Sequence, residues 1–149
     1  MPFPAWVPWV PAVPLVAAAA WDLRTGEIPD AFPLLLVAWA VVARLFGWLP
    51  VGWERLPAEW LDPVLGGVAG LALGFALFSA GVLGGGDGKV LAGLGAVVGV
   101  RGLALVFVLT CLFGGLLAIA ARTRHRKDVR YGPAIALGYV GAVVLAKMS

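Results

Sequence analysis

The sequence predicts an all-α, polytopic membrane fold, and three observations carry that expectation. The 149-residue chain is 62% hydrophobic and 13% charged, with a mean hydropathy of +0.98, where a soluble domain carries about 25% charge. Its apolar residues gather into six blocks, roughly 3–21, 31–49, 63–83, 89–100, 102–121 and 132–147. Its charges concentrate in the connections between those blocks, and helices are the economical open-ended way to cross lipid because each satisfies its own backbone groups. No polar stretch is long enough for a second domain. Residues 1–149 therefore read as one integral membrane domain of about six transmembrane helices, the fourth of them short.

The first block opens "MPFPAWVPWVPAVPLVAAAAWD". No Lys or Arg precedes its apolar run, as a cleavable signal would want, so it reads as a retained first segment. Prolines 4, 8, 11 and 14 make its start a poor helix, each interior proline costing roughly 3 kcal/mol. A regular helix is expected only from about Pro11 or Pro14. The second and third blocks flank "PVGWERLPAEWLD" (50–62), where Trp53, Trp60 and prolines 50, 57 and 63 suit a membrane–water boundary. The fourth block, "KVLAGLGAVVGV", would rise only about 18 Å as a helix, against a hydrocarbon core of about 30 Å. Asp87 at its head is then expected within or near the lipid boundary, open to water through a protein cavity. There is no internal repeat, and the dominance of Ala, Gly, Val and Leu suits helices whose backbones approach closely.

Charge sets an orientation and excludes other classes. With the 22–30 connection, the Asp87 turn and "RTRHRKDVR" (122–130) on the cytoplasmic side, that side holds Arg24, Lys89, Arg122, Arg124, Arg126, Lys127 and Arg130. The other side holds Arg44, Arg55, Arg101 and Lys147, so seven basic residues stand against four, as the positive-inside rule requires, with both termini outside. The basic cluster is a topology anchor that meets anionic lipid headgroups, and a net charge of +3 without a basic stripe argues against nucleic acid. The single cysteine, Cys111, lies in an apolar run and the single histidine is His125, which leaves no set for zinc and no internal disulfide.

Two carboxylates then need a reason. Asp22 closes the first apolar block and Asp87 opens the fourth, at matching depth, and ionisable groups at membrane depth are costly and usually retained for a task. Two close carboxylates do not easily both ionise, so they share a proton: one acts as general base for water, the other donates a hydrogen bond to a scissile carbonyl. That is aspartic-protease chemistry, and it requires neither metal nor cofactor. In "GGGDGK" the glycines Gly84, Gly85 and Gly86 let a substrate strand approach the main chain, and Asp87 followed by Gly88 falls at a helix start that favours an anion. Lys89 either acts on Asp87 or snorkels to the interface. A Walker loop fails, with Leu83 and Val90 where glycine and Ser/Thr are needed, and a dinucleotide loop fails at Lys89. Taken singly, Asp22 reads as a helix-end turn residue and Asp87 as a helix N-cap; their joint occurrence favours the pair.

"DLRTGEIPD" after an apolar block, then "GGGDGK", then "YGPAIALG" (131–138) resemble, in order, the three signatures of the type IV prepilin peptidase family of GxGD aspartic proteases. By that resemblance the catalytic pair falls on Asp22 and Asp87, and Gly84 and Gly86 are the GxG glycines. Lys89 is the basic residue after the motif. Pro29 and Asp30 match a supporting position that is not a catalyst, and Gly132 and Pro133 belong to the third signature. The resemblance implies cleavage of short basic leader peptides from prepilins or pseudopilins at the cytoplasmic side of the inner membrane, after a glycine and before the hydrophobic pilin helix. Longer members carry paired CxxC motifs and methylate the new N-terminus; with one cysteine, this chain resembles the compact form associated with Tad/Flp-type pili or preflagellin processing. Presenilin-like proteases place a tyrosine before the first aspartate, where Trp21 stands here. Glu27, Asp30 and Asp128 are candidates for meeting basic leader residues. Two non-enzymatic readings compete: a transporter subunit using the aspartates as ion sites, and an assembly subunit in which Arg24 serves Asp22 and Lys89 serves Asp87.

Overall fold

Prolines set where the first helix begins. In the computed structural model, which describes residues 4–48, 61–123 and 131–148, Val7–Trp9 form a single 3₁₀ turn and α1 spans Ala12–Thr25. Pro14 is tolerated because it occupies the first turn of α1, where its missing N–H would have no intrahelical partner, and the first such bond runs from Leu15 N–H to the Pro11 carbonyl at 3.3 Å. α2 spans Ala31–Leu45, α3 Leu61–Ser79, α4 Gly85–Thr123 and α5 Gly132–Met148. No strand occurs among the described residues. Most of the 50–62 connection, the 124–130 cluster and Asp128 lie outside the described residues.

Among the described residues five α-helices carry the six apolar blocks. α3 and the stretch Gly85–Ala120 of α4 are long and apolar enough to cross a membrane, and Ala31–Leu45 and Gly132–Met148 are shorter apolar helices. The fourth and fifth blocks are the two halves of α4, divided by Gly99, whose φ of 73° and ψ of −178° are non-helical. A straight helix of 39 residues would rise about 58 Å, but this one turns back on itself. Before Gly99, α4 runs antiparallel to α3: Gly74, Gly70 and Gly66 face Gly88, Leu91 and Gly95 in turn. After Gly99 it runs antiparallel to α5, with Thr110 against Gly138 and Gly114 against Tyr131 and Ala134. α5 itself runs antiparallel to α1, since Gly132 lies on Asp22 while the Tyr139 hydroxyl donates to the Pro8 carbonyl at 2.7 Å. α4 therefore leaves and returns to the same end of the bundle.

Asp62 makes that reversal possible. It lies in the first turn of α3, buried, and its Oδ1 accepts the Val100 N–H at 3.1 Å, supplying a partner to the second half of α4 where the helical ladder is broken. Gly99 sits against the same carboxylate so closely that no Cβ would fit. By sequence Asp62 ends the polar 50–62 connection before a block expected from 63; α3 begins two residues earlier, at Leu61, and draws it inside.

Polarity is inverted relative to a soluble domain. Among the described residues the buried polar side chains include Asp22, Asp62, Asp87 and Thr110, whereas Val68, Phe75, Leu116 and Ile119 are among the large apolar residues left exposed along α3 and α4. An exterior of this kind is matched by lipid, not water. The end of the bundle away from Asp22 holds Trp6, Trp39, Trp48 and Phe46 in mutual ring contact, and Lys147 lies 5.1 Å above the Trp9 ring.

The α3–α4 contact is close enough that a Cβ on Gly70 would strike the Leu91 carbonyl, while one on Gly115 would meet nothing within 4 Å. Gly70→Ala is expected to destabilise by about 1–3 kcal/mol through overpacking, and Gly115→Ala to stabilise by about 0.5–1 kcal/mol through helix propensity. Thermal unfolding in detergent micelles reads both signs.

Candidate active site

Asp22 is held inside α1, one turn before its end. The sequence reading placed it at the start of a turn, but the helix continues to Thr25 and is stopped by Gly26. Gly26 adopts φ 80°, which an L side chain would resist, and its N–H donates to the Asp22 carbonyl at 2.9 Å. The Thr25 hydroxyl lies 3.0 Å from the carbonyls of both Trp21 and Glu27 and accepts the Glu27 N–H at 3.4 Å, which shapes the exit. Beyond it, Ile28 is buried and Pro29 leads into α2, its carbonyl accepting the Phe32 N–H at 3.2 Å.

Asp87 lies in the first turn of α4. Its Oδ2 accepts the N–H of Gly84, the residue preceding the helix, at 3.2 Å, which is the acidic half of a capping box with glycine where Ser or Thr would stand. Asp87 thus caps from within the turn and is not the N-cap itself. Its Oδ1 is buried and accepts no hydrogen bond among the described residues. One oxygen holds the helix start; the other is enclosed and unbonded among the described residues.

Close contacts bring the two acids to one place. A Cβ on Gly86 would lie 2.9 Å from Ile28 Cβ, so the glycine lets the start of α4 rest on the chain that follows Asp22. A Cβ on Gly132 would lie 2.8 Å from Asp22 Oδ2, so the first residue of α5 rests on the carboxylate itself, with Pro133 directly behind it in the first helical turn. Gly88 fits against Gly74 of α3, and Gly85 is the exposed first residue of α4. Asp22 and Asp87, 6% and 7% exposed, line one cavity of about 350 Å³ together with Gly26, Glu27 and Ile28 on one side and Gly84, Gly85, Gly86 and Lys89 on the other. That volume admits water. Among the described residues no three of His, Cys, Asp and Glu converge as a metal would require.

A profile of the type IV leader peptidase family matches residues 9–119, a range that contains both aspartates and ends before Gly132. The chain belongs to that family. It is 33% identical over 133 residues to a prepilin leader peptidase/N-methyltransferase of Bacillus subtilis strain 168, covering 85% of this chain and 50% of that protein. It is 32% identical over 135 residues to the protein of the same name from Aeromonas salmonicida strain A449, covering 83% and 43%. The chain spans about half the length, or less, of these curated relatives. No solved structure matches it significantly.

Within this leader peptidase fold, Lys89 meets Asp30 and makes no ion pair with Asp87. Its ammonium bonds Asp30 Oδ1 at 2.6 Å, joining the first turn of α4 to the residue that precedes α2. Asp30 in turn makes no side-chain cap on α2. Neither partner is visible from the other in sequence, since 59 positions separate them. Both side chains are more than half exposed, 53% and 68%, so the pair is expected to contribute at most about 1 kcal/mol. Asp30→Asn and Lys89→Gln should each lower the unfolding midpoint slightly, and the double variant by no more than the sum, in a double-mutant cycle followed by thermal unfolding.

Proposed function

We propose that this chain is a membrane-embedded aspartic endopeptidase that removes the leader peptide of type IV prepilins or pseudopilins, with Asp22 and Asp87 as the catalytic pair. The observation that carries the reading is the cavity in which these two buried carboxylates, 65 positions apart in sequence, meet at the ends of α1 and α4. Family membership and the names of the relatives from Bacillus subtilis and Aeromonas salmonicida support the substrate class. In the proposed reaction a water sits between the pair. One carboxylate removes its proton as the oxygen attacks the scissile carbonyl carbon, and the other, protonated, donates to the carbonyl oxygen. Collapse of the tetrahedral intermediate breaks the C–N bond, and the proton taken from water passes to the leaving amine. Asp87 Oδ1 is suited to the water because Oδ2 is engaged by the Gly84 N–H.

In this reading the cavity faces the cytoplasm, as the distribution of Arg24, Lys89 and the 122–130 basic residues favours, and the apolar exterior meets the lipid of the inner membrane. A purely structural role for the second aspartate would want Lys89 upon it, and Lys89 is bonded to Asp30.

Purified protein in detergent or proteoliposomes is expected to shorten a type IV prepilin by its leader, scored by mass spectrometry. Asp22→Asn and Asp87→Asn should each abolish cleavage while the helical circular dichroism remains, and chelator should leave the wild-type rate unchanged. Full cleavage by either variant would remove that aspartate from the pair. Gly132→Ala presses a methyl on the Asp22 carboxylate and should lower kcat about 10- to 100-fold by misplacing it, with a much smaller change in KM.

A further inference from the structure

Among the described residues the charged side chains that line the cavity are Asp22, Asp87, Glu27 and Lys89, and Asp30 is bonded to Lys89. Their pairing is uneven. Lys89 is neutralised by Asp30, the Asp87 carboxylate receives a backbone N–H, and Glu27 is exposed with no hydrogen bond or ion pair to its carboxylate among the described residues. Glu27 is also held in place: Ile28 beside it is buried against Gly86, and its own N–H and carbonyl are both within hydrogen-bond reach of Thr25 Oγ1. A carboxylate on a held stretch of backbone, without a partner among the described residues, thus stands on a cavity that the buried Asp87 also lines. Among the described residues that line the cavity, Lys89 is met by Asp30 and Glu27 is matched by no cation, so the field at that mouth favours positive charge and disfavours negative.

We propose that Glu27 is a specificity residue: it takes a cationic side chain of the substrate, lysine or arginine, close to the bond that is cut. This rests on the peptidase reading above and adds to it the residue that selects the substrate's charge. Glu27 acts by binding and takes no part in proton transfer. Its contribution is of the charge-assisted kind made at a partly solvated site, so it is expected to weaken as salt rises.

The test uses the full chain in detergent and prepilin-derived peptides that span the leader junction, identical except that each residue on the leader side is in turn lysine, glutamine or glutamate. Wild type is expected to prefer lysine at one such position over glutamine by roughly fivefold in kcat/KM, and to reject glutamate there. Glu27→Gln should erase the preference through KM, with the largest loss for the lysine peptide and the smallest for the glutamine peptide. Glu27→Asp should retain much of it, and Glu27→Lys should turn it toward glutamate. Binding of the same peptides to Asp22→Asn protein, followed by fluorescence anisotropy, should show the same charge preference and the same loss on adding Glu27→Gln. Equal use of all three peptides by wild type, or an equal fall for all of them in Glu27→Gln, would overturn the assignment while leaving the peptidase reading intact. Charge-selective binding without cleavage by wild type would instead remove the peptidase reading and keep the site.

Discussion

Carboxylates buried in a bundle with an apolar exterior are tolerated only where backbone ends and water come together. Asp22 and Asp87 meet that constraint in complementary ways, one in the last turn of a helix and the other in the first turn of another, both on a cavity wide enough for solvent. Moving either acid a turn deeper would set it against apolar side chains with no free backbone group to bind and no water to reach, at a cost of several kcal/mol. Much of the surrounding architecture can be understood as holding two helix ends together at one depth.

Each end is positioned by a different neighbour, and in each case the contact depends on a missing side chain. α5 sets Asp22 through Gly132, and the chain following α1 sets the start of α4 through Ile28 on Gly86. α3 contributes no residue to the cavity among those described, yet its glycines at 66, 70 and 74 fix the depth of α4 from Gly88 to Gly99. In lipid there is no hydrophobic gain from helix contact, so close approach of backbones and the dispersion contacts it brings are what remain. At the far end Asp62 and Gly99 turn α4 back toward the cavity. The buried carboxylate there is structural: its oxygen completes a helix terminus, as the second oxygen of Asp87 does, but Asp62 does not line the cavity of about 350 Å³.

The cavity also separates charges by whether they are compensated. The exposed Lys89–Asp30 pair ties α4 to the start of α2, while Glu27, at the same mouth, carries no such partner among the described residues. A surface pair of that kind adds little stability. Its larger consequence is electrostatic, since it engages the one cation that lines the cavity among the described residues.

Composition and the spacing of apolar blocks determined that the chain is helical and made for lipid, because both follow from local hydropathy and backbone satisfaction. They also determined that Asp22 and Asp87 needed explaining, and the prolines determined where α1 starts, each by a local steric rule. Tertiary structure alone decided the rest. Asp62 looked like a loop residue until α3 drew it onto the Val100 N–H, and Lys89 looked like a partner of Asp87, two positions away, until the fold offered Asp30 instead. The boundary between the fourth and fifth blocks became a reversal at a single glycine. Hydropathy is carried by each residue by itself, whereas a charge's partner and a glycine's neighbour belong to segments far along the chain, and those are chosen only when helices pack.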